Sequence, residues 1–293
     1  MEYEKDTVRK ASSELMTELL GDVSRYRDLL QKEKMNILSQ YNDESILNSI
    51  FASLDARIIN LCPMTLCDRM LCGLDVASSD ELLAGLGLAM YSISTHDDIV
   101  DEFPRDRLIV AGLLYGGNIA TLEGLKILCE AGLNHVASEV IACVNKNHYY
   151  QTKIVTSLWD HPCDKDDYLS AISHTGYWAE IGLRAALAFS QKQGLSDFVS
   201  EFAKCYGLIC QLFDDMREID DDVKNGYWSL PVSLAHFNGW DISTDEGKRL
   251  SIETSRSLAE RYIKKAKELC GNQFPSLLDL VERIEKAGSG IQY

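Results

Sequence analysis

Apolar residues recurring every three or four positions run through most of this chain and leave little room for a sheet. "LSAISHTGYWAEIGLRAALAFS", "FVSEFAKCYGLICQLFDDMREI" and "SLAERYIKKAKEL" all carry this spacing. It gathers apolar side chains on one face of a helix, whereas a strand would scatter them over both faces. No segment shows the strict alternation of a half-buried strand. "KNGYWSLP" contains Asn-Gly but lies between an acidic helix and a proline, so it reads as a loop. The five prolines, Pro63, Pro104, Pro162, Pro231 and Pro275, fall where helices could start or stop. Glycine-bearing breaks such as "LYGGN", "QKQG" and "HFNGW" separate the helical runs, and no low-complexity linker divides them. The expectation is a single all-α domain over residues 1–293, a bundle of roughly ten helices.

Composition narrows the partners. A hydrophobic content of 46% with 25% charged residues fits a soluble globular chain long enough to bury a sizeable core. The formal charge of −16 argues against a nucleic-acid surface or electrostatic attachment to anionic lipid. It leaves anionic substrates open, because a bound metal can invert the local field. The longest apolar run, "ELLAGLGLAMYSIS", is too short to span a bilayer. The N-terminal "MEYEKDTVRKASSELM" is charged and amphipathic without an apolar signal core, so a cytoplasmic protein is expected. Nine cysteines, an odd number, form no CxxC pair. Cys62, Cys67 and Cys72 recur at intervals of five, which suits neither a helix face nor a metal knuckle. Reduced thiols are the expectation.

Two apolar helices each end in a cluster of acids. "ELLAGLGLAMYSIS" leads into "THDDIVDE", with Asp97, Asp98, Asp101 and Glu102. "YGLICQLF" leads into Asp214 and Asp215, followed by Glu218, Asp220, Asp221 and Asp222. Residues at i, i+4 and i+8 share a helix face about 6 Å apart per step. Asp214, Glu218 and Asp222 should therefore form one carboxylate row, and Asp97 with Asp101 another, with Asp98 beside them. Unneutralised, such pairs destabilise a helix by about 0.2–0.5 kcal/mol each at the surface. Hard divalent cations remove that cost, and Mg²⁺ typically shares one or two carboxylates with substrate phosphates. Two rows at the mouth of a helical cavity would suit metals gripping a diphosphate.

At these residues the chain resembles the trans-isoprenyl diphosphate synthases, the polyprenyl synthetase family within the class I terpenoid synthases. "HDDIVD" is similar to the first DDxxD motif, and "QLFDDMRE" to the second, with Glu218 in place of its last aspartate and Gln211 at the family's glutamine. "YGGNIATLEGLKIL" resembles the Tyr-Gly…Ala-x-Leu-x-Gly-Asp segment, with Leu125 where the aspartate is expected. "SHTGYW" resembles the Lys-Thr-Gly turn, with His174 for lysine ahead of Thr175, and "DDVKNGYWSLPVSLA" the stretch after the second motif. The likeness is clearest over about residues 80–270. It implies helices around a central apolar cavity, roughly two or three Mg²⁺ per site, an allylic prenyl diphosphate substrate and a homodimer. Asp97, Asp98, Asp101, Asp214, Asp215 and Glu218 are then the catalytic candidates. Asp97, Asp98, Asp101, Asp214, Glu218 and Asp222 are the candidate metal ligands.

Departures concentrate on the cationic side. The family binds isopentenyl diphosphate with a Gly-Lys-x-x-x-Arg segment, whereas "SLDARIINLCPMTLCDRM" offers only Arg57 and Arg69. The arginine pair after the first motif is reduced to Arg105, Asp106 and Arg107. His174 supplies no dependable charge at neutral pH. The resemblance therefore implies a retained metal-bound donor and an acceptor that is either isopentenyl diphosphate or something unusual. The spacing of Asp214, Glu218 and Asp222 also matches the three-ligand motif of terpene cyclases, so cyclisation of the same donor is the alternative. A non-catalytic subunit of a heteromeric synthase is a third reading.

Arg105, Arg107, Lys224 and Lys153 are candidates to bind the diphosphate. Ile93, Met90 and Ala89 are expected to line the apolar cavity, and Tyr91, Phe213, Tyr177 and Trp178 are candidates for contact with a carbocation. Ser92 and Ile93 stand where the family's bulky aromatics limit chain length, which implies a pocket open to longer prenyl chains.

Overall fold

Every described segment of regular structure is helical. The computed structural model describes residues 28–33, 35–37, 39, 80–101, 107–158, 161–174, 176–190 and 193–290. Beyond short helical pieces at 28–33 and 35–37, ten α-helices occur among the described residues. They are α1 (Asp80–Asp101), α2 (Arg107–Glu130), α3 (Asn134–Leu158), α4 (Lys165–Ile172), α5 (Tyr177–Ser190), α6 (Ser196–Arg217), α7 (Ile219–Asn225), α8 (Leu230–Asn238), α9 (Asp245–Cys270) and α10 (Pro275–Ser289). Pro231 and Pro275 sit in the first turns of α8 and α10, where a missing N–H is harmless. Pro63 and Pro104 lie outside the described residues, as do Arg57, Arg69, Cys62, Cys67 and Cys72. The chain divides into two compact units, Met1–Ala137 and Ser138–Tyr293.

In the first unit, α1 and α2 form an antiparallel pair whose backbones nearly touch. Residues 82–93 are buried at every position, the pattern of a helix enclosed on all sides. Glycines make the approach possible. A Cβ on Gly124 would stand 2.5 Å from the Gly85 carbonyl oxygen and 2.7 Å from the Ala89 nitrogen. One on Gly117 would stand 2.2 Å from Thr95 Oγ1 and 3.1 Å from Ser92 Cα. Thr121 Oγ1 donates to the Ala89 carbonyl at 3.1 Å, a further tie along the same seam.

In the second unit α6 is the hub. Its apolar face, including Val199, Phe202, Leu208, Ile209 and Leu212, is buried, with α5 and α9 packed against the helix. A polar clasp joins α5 to the start of α6. Arg184 Nε donates to Glu180 Oε1 at 2.6 Å and Nη1 to Ser196 Oγ at 2.5 Å, while Nη2 reaches Ser200 Oγ. Ser200 closes the ring by donating to Glu180 Oε1 at 2.8 Å. Glu180 is 5% exposed, so losing either charged partner would leave the other buried and uncompensated. Elsewhere Asp164 caps α4 and Thr244 caps α9, each accepting from backbone N–H groups of the first turn. α7 and α8 end on Gly226 and Gly239 in left-handed conformation.

Candidate active site

The second acidic motif straddles a break. α6 ends at Arg217, and Glu218 adopts φ −98°, ψ 9° before α7 begins at Ile219. Backbone bonds still run from Glu218 N to Asp214 O and from Asp222 N to Glu218 O, each 2.9 Å. Asp214, Glu218 and Asp222 are therefore spread over a helix end, a junction and a second helix. The single uninterrupted row read from their spacing is corrected to this bent arrangement. Nothing in "DDMREIDDD" announces the bend, since it contains neither Gly nor Pro.

Asp215 faces inward and is only 5% exposed. Tyr168 of α4 donates its hydroxyl to Asp215 Oδ2 at 2.5 Å, and Gln211 Nε2 donates to Oδ1 at 3.0 Å. The Leu230 N–H at the start of α8 adds a longer contact of 3.4 Å. One carboxylate thus ties α4 and α8 to α6. Burial pushes its pKa up to about 7, against the donors from Gln211 and Tyr168 and with a contribution from Asp222. The same burial and the facing carboxylate push the Tyr168 hydroxyl well above its ordinary value.

Asp214 and Asp222 face less enclosed surroundings. Desolvation lifts Asp214 to about 6, opposed by Arg217 and reinforced by Glu218. Its side chain keeps 49% exposure and pairs with Arg217 Nη1 at 3.1 Å, so its hydration is less disturbed than that of Asp215. Asp222 is also lifted to about 6, by burial first, then by Glu218 and Asp221. The Ser229 hydroxyl eases the Asp222 charge without forming a full hydrogen bond. Glu218 is thus felt by both aspartates, one on each side of the bend.

The other predicted residues are dispersed. Phe213 is buried, and its ring fills the space that a Cβ on Gly288 of α10 would need, 2.1 Å away. Lys224 is exposed on α7. His174 lies in the turn after α4, stacked on Tyr150 of α3 with ring centroids 3.8 Å apart at 18°. Burial, then Lys153 and Lys204, pull the His174 imidazole below its usual value, which agrees with the weak cationic role expected of it. Thr175 lies outside the described residues, and the side chains of Tyr177 and Trp178 are likewise undescribed.

In the first unit, Asp97, Asp98 and Asp101 lie in the last turns of α1, their side chains outside the described set. Glu102, Arg105 and Asp106 lie outside the described residues, and Arg107 is exposed as the first residue of α2. Ala89, Met90, Tyr91 and Ile93 are buried below the acids. Ser92 is 2% exposed and backs onto Gly117 of α2. Sequence reasoning missed Tyr168 and the Leu230 N–H, which carry no local signal. It also missed Tyr150, hidden among the polar residues of "CVNKNHYY".

Among the described residues no three His, Cys, Asp or Glu side chains converge into a metal site. The donor set nevertheless suits a hard cation. Mg²⁺ needs only one or two carboxylates beside waters and phosphate oxygens, and Asp214 and Asp222 are acids raised by burial, each with the Glu218 carboxylate nearby.

No protein-family model matches the sequence, and no curated protein matches it. Solved structures do match its fold. A decaprenyl diphosphate synthase from Rhodobacter capsulatus aligns over 94% of this chain and 99% of its own, with TM-score 0.72 and 13% identity. A geranylgeranyl pyrophosphate synthetase from the archaeon Geoglobus acetivorans aligns over 91% and 98%, with TM-score 0.69 and 15% identity. A polyprenyl synthase from Caulobacter crescentus, complexed with calcium and isoprenyl diphosphate, aligns over 95% and 97%, with TM-score 0.68 and 17% identity. The chain has the all-α isoprenoid synthase fold.

Proposed function

We propose that this chain is a divergent member of the trans-isoprenyl diphosphate synthase family. In this reading it is a Mg²⁺-dependent prenyltransferase that ionises an allylic prenyl diphosphate and passes the prenyl group to an acceptor. The observation that carries the reading is the bent acid cluster Asp214–Glu218–Asp222 at the end of a buried helix, on a fold that the solved synthases share. Asp97, Asp98 and Asp101 would hold metal from α1, and Asp214, Glu218 and Asp222 from α6 and α7. Bound there, Mg²⁺ supplies Lewis-acid neutralisation of the departing diphosphate.

The chain's own residues do the rest. In this reading Arg217, which pairs with Asp214, would add charge toward a bound diphosphate, together with Arg105, Arg107 and Lys224. Asp215, pinned by Tyr168 and Gln211, holds the end of α6 in place and in this reading does not ligate metal. Met90 and Ile93, buried beneath the first acids, would supply the dry surface that an allylic cation needs, whereas Ala89 packs into the α1–α2 seam.

A second reading, cyclisation of the same donor, is favoured by one observation: Glu218 couples to both Asp214 and Asp222, as a three-ligand cyclase motif would. Incubating the protein and Mg²⁺ with geranyl, farnesyl and geranylgeranyl diphosphates, with and without isopentenyl diphosphate, separates the readings. A longer diphosphate that needs both substrates supports elongation, and hydrocarbon or alcohol from one substrate supports cyclisation. No consumption of any donor sinks both.

We also propose a homodimer of single-domain chains acting in the cytoplasm. Leu114, Tyr115 and Leu122 form an apolar face on α2 with 37%, 61% and 67% exposure, which supports pairing of two copies. Among the described residues no helix is long and apolar enough to cross a membrane. Sedimentation equilibrium returning a monomer at micromolar concentration would remove the dimer.

A further inference from the structure

The two aspartates that open the second motif are neighbours in sequence with opposite surroundings. The Asp214 side chain is half exposed and pairs with Arg217, whereas Asp215 is buried. Successive helix residues point about 100° apart, so one can face the open while the next faces the core.

Asp215 meets three donors, and all are neutral. The Tyr168 hydroxyl of α4 and the Leu230 N–H of α8 both reach Oδ2, at 2.5 and 3.4 Å, and Gln211 Nε2 of α6 itself reaches Oδ1 at 3.0 Å. A buried carboxylate held without a cation is a costly way to fill space, and an apolar side chain of similar volume would pack as well. The arrangement is explained by what it fixes, because three helices take both oxygens at once. To serve a metal, Asp215 would have to leave the buried Tyr168 hydroxyl unmet.

α8 starts at this carboxylate. Its N-cap residue Ser229 is buried, and the Ser229 hydroxyl bonds none of the first-turn N–H groups. The Leu230 N–H goes to Asp215 instead, so the positive end of α8 rests on the motif. From Asp215 the helical path continues across the bend, with Glu218 N bonded to Asp214 O and Asp222 N to Glu218 O, each at 2.9 Å. Fixing Asp215 therefore fixes the rotation of the chain on either side of it, and with it the directions of Asp214 and Asp222.

We propose that Tyr168 is a positioning residue for the second acidic motif: acting through Asp215, it sets the direction in which Asp214 and Asp222 present their carboxylates to metal, while Asp215 itself gives no oxygen to the metal. The assignment rests on the Mg²⁺-dependent prenyl-transfer reading and names what aims that site.

Titration calorimetry of the full chain with inorganic pyrophosphate, at a series of Mg²⁺ concentrations, tests this without turnover. Tyr168→Phe keeps the ring and removes the hydroxyl, and should raise the Mg²⁺ concentration needed for half-maximal binding about tenfold. Asp215→Asn keeps an acceptor for Tyr168, and Gln211 can turn its amide to accept from the new Nδ2. It should stay within about threefold of the native requirement, whereas Asp214→Asn, which removes a ligand charge, should raise it about 100-fold. Ser200→Ala removes a hydrogen bond at the far end of α6 and should lower the melting temperature with the Mg²⁺ requirement unchanged. An unchanged requirement in Tyr168→Phe overturns the proposal, whatever its melting temperature. So does Asp215→Asn failing as badly as Asp214→Asn, which would make Asp215 a ligand. A shift in Ser200→Ala equal to that in Tyr168→Phe overturns it as well, by reducing the effect to lost stability. Native Mg²⁺-dependent binding alongside any of these results removes the positioning role alone. A native chain that binds no pyrophosphate with Mg²⁺ removes the prenyl-transfer reading, and the positioning role with it.

Discussion

Tyr168 and Asp215, 47 residues apart, share a buried hydrogen bond of 2.5 Å that ties α4 to the end of α6. The bond makes Asp215 a holding point for the acids around it. Tyr168→Phe leaves the carboxylate with Gln211 and the distant Leu230 N–H, and should destabilise the protein by about 1–3 kcal/mol. Urea unfolding measures this, and an unchanged midpoint would show the bond to be idle.

The Asp215 carboxyl also sets a pH dependence. Its folded value of about 7 lies above its unfolded value, so the fold favours the protonated form. Its contribution to stability is fully present below the ordinary carboxylate range and is lost as pH rises through about 7. Compared with Asp215→Asn, the native chain should lose stability between pH 4 and 8. A difference between the two that stays flat across that window would contradict the assignment.

Activity should depend on both acidic motifs. Asp97→Ala and Asp214→Ala are each expected to lower donor consumption by about 10²–10³-fold with the helical circular dichroism unchanged. EDTA should abolish turnover and Mg²⁺ restore it. Near-normal turnover in either variant removes that motif from the site.

Packing of α1 on α2 gives a prediction independent of chemistry. Gly124→Ala places a methyl group against the Gly85 and Ala89 backbone, which cannot yield as a side chain can. A loss of about 1–3 kcal/mol in thermal or urea unfolding is expected.

The helices were legible because their signal is periodic and local. "FVSEFAKCYGLICQLF" buries the face that its spacing marks, and Pro231 and Pro275 open the helices they were expected to open. The acids were legible as a departure from that pattern. The bend at Glu218 was not, because no Gly or Pro marks it, and the partners that hold Asp215 beside it come from α4 and α8, distant in sequence. Tyr168 looks like any apolar-face aromatic, and Tyr150 is hidden among the polar residues of "CVNKNHYY". Their places come from what lies opposite them in space, Asp215 and His174.

Along the seam where Gly124 meets Gly85 and Ala89, little more than α-hydrogens separate two main chains. From Ala89 the helix projects like a fixed arm, about 12 Å to Asp97. Deleting one residue of that arm would swing every acid beyond it through about 100°, and the glycine seat would not let α1 slide to compensate. The reach of the first motif is thus set by a count of residues and tolerates no slack.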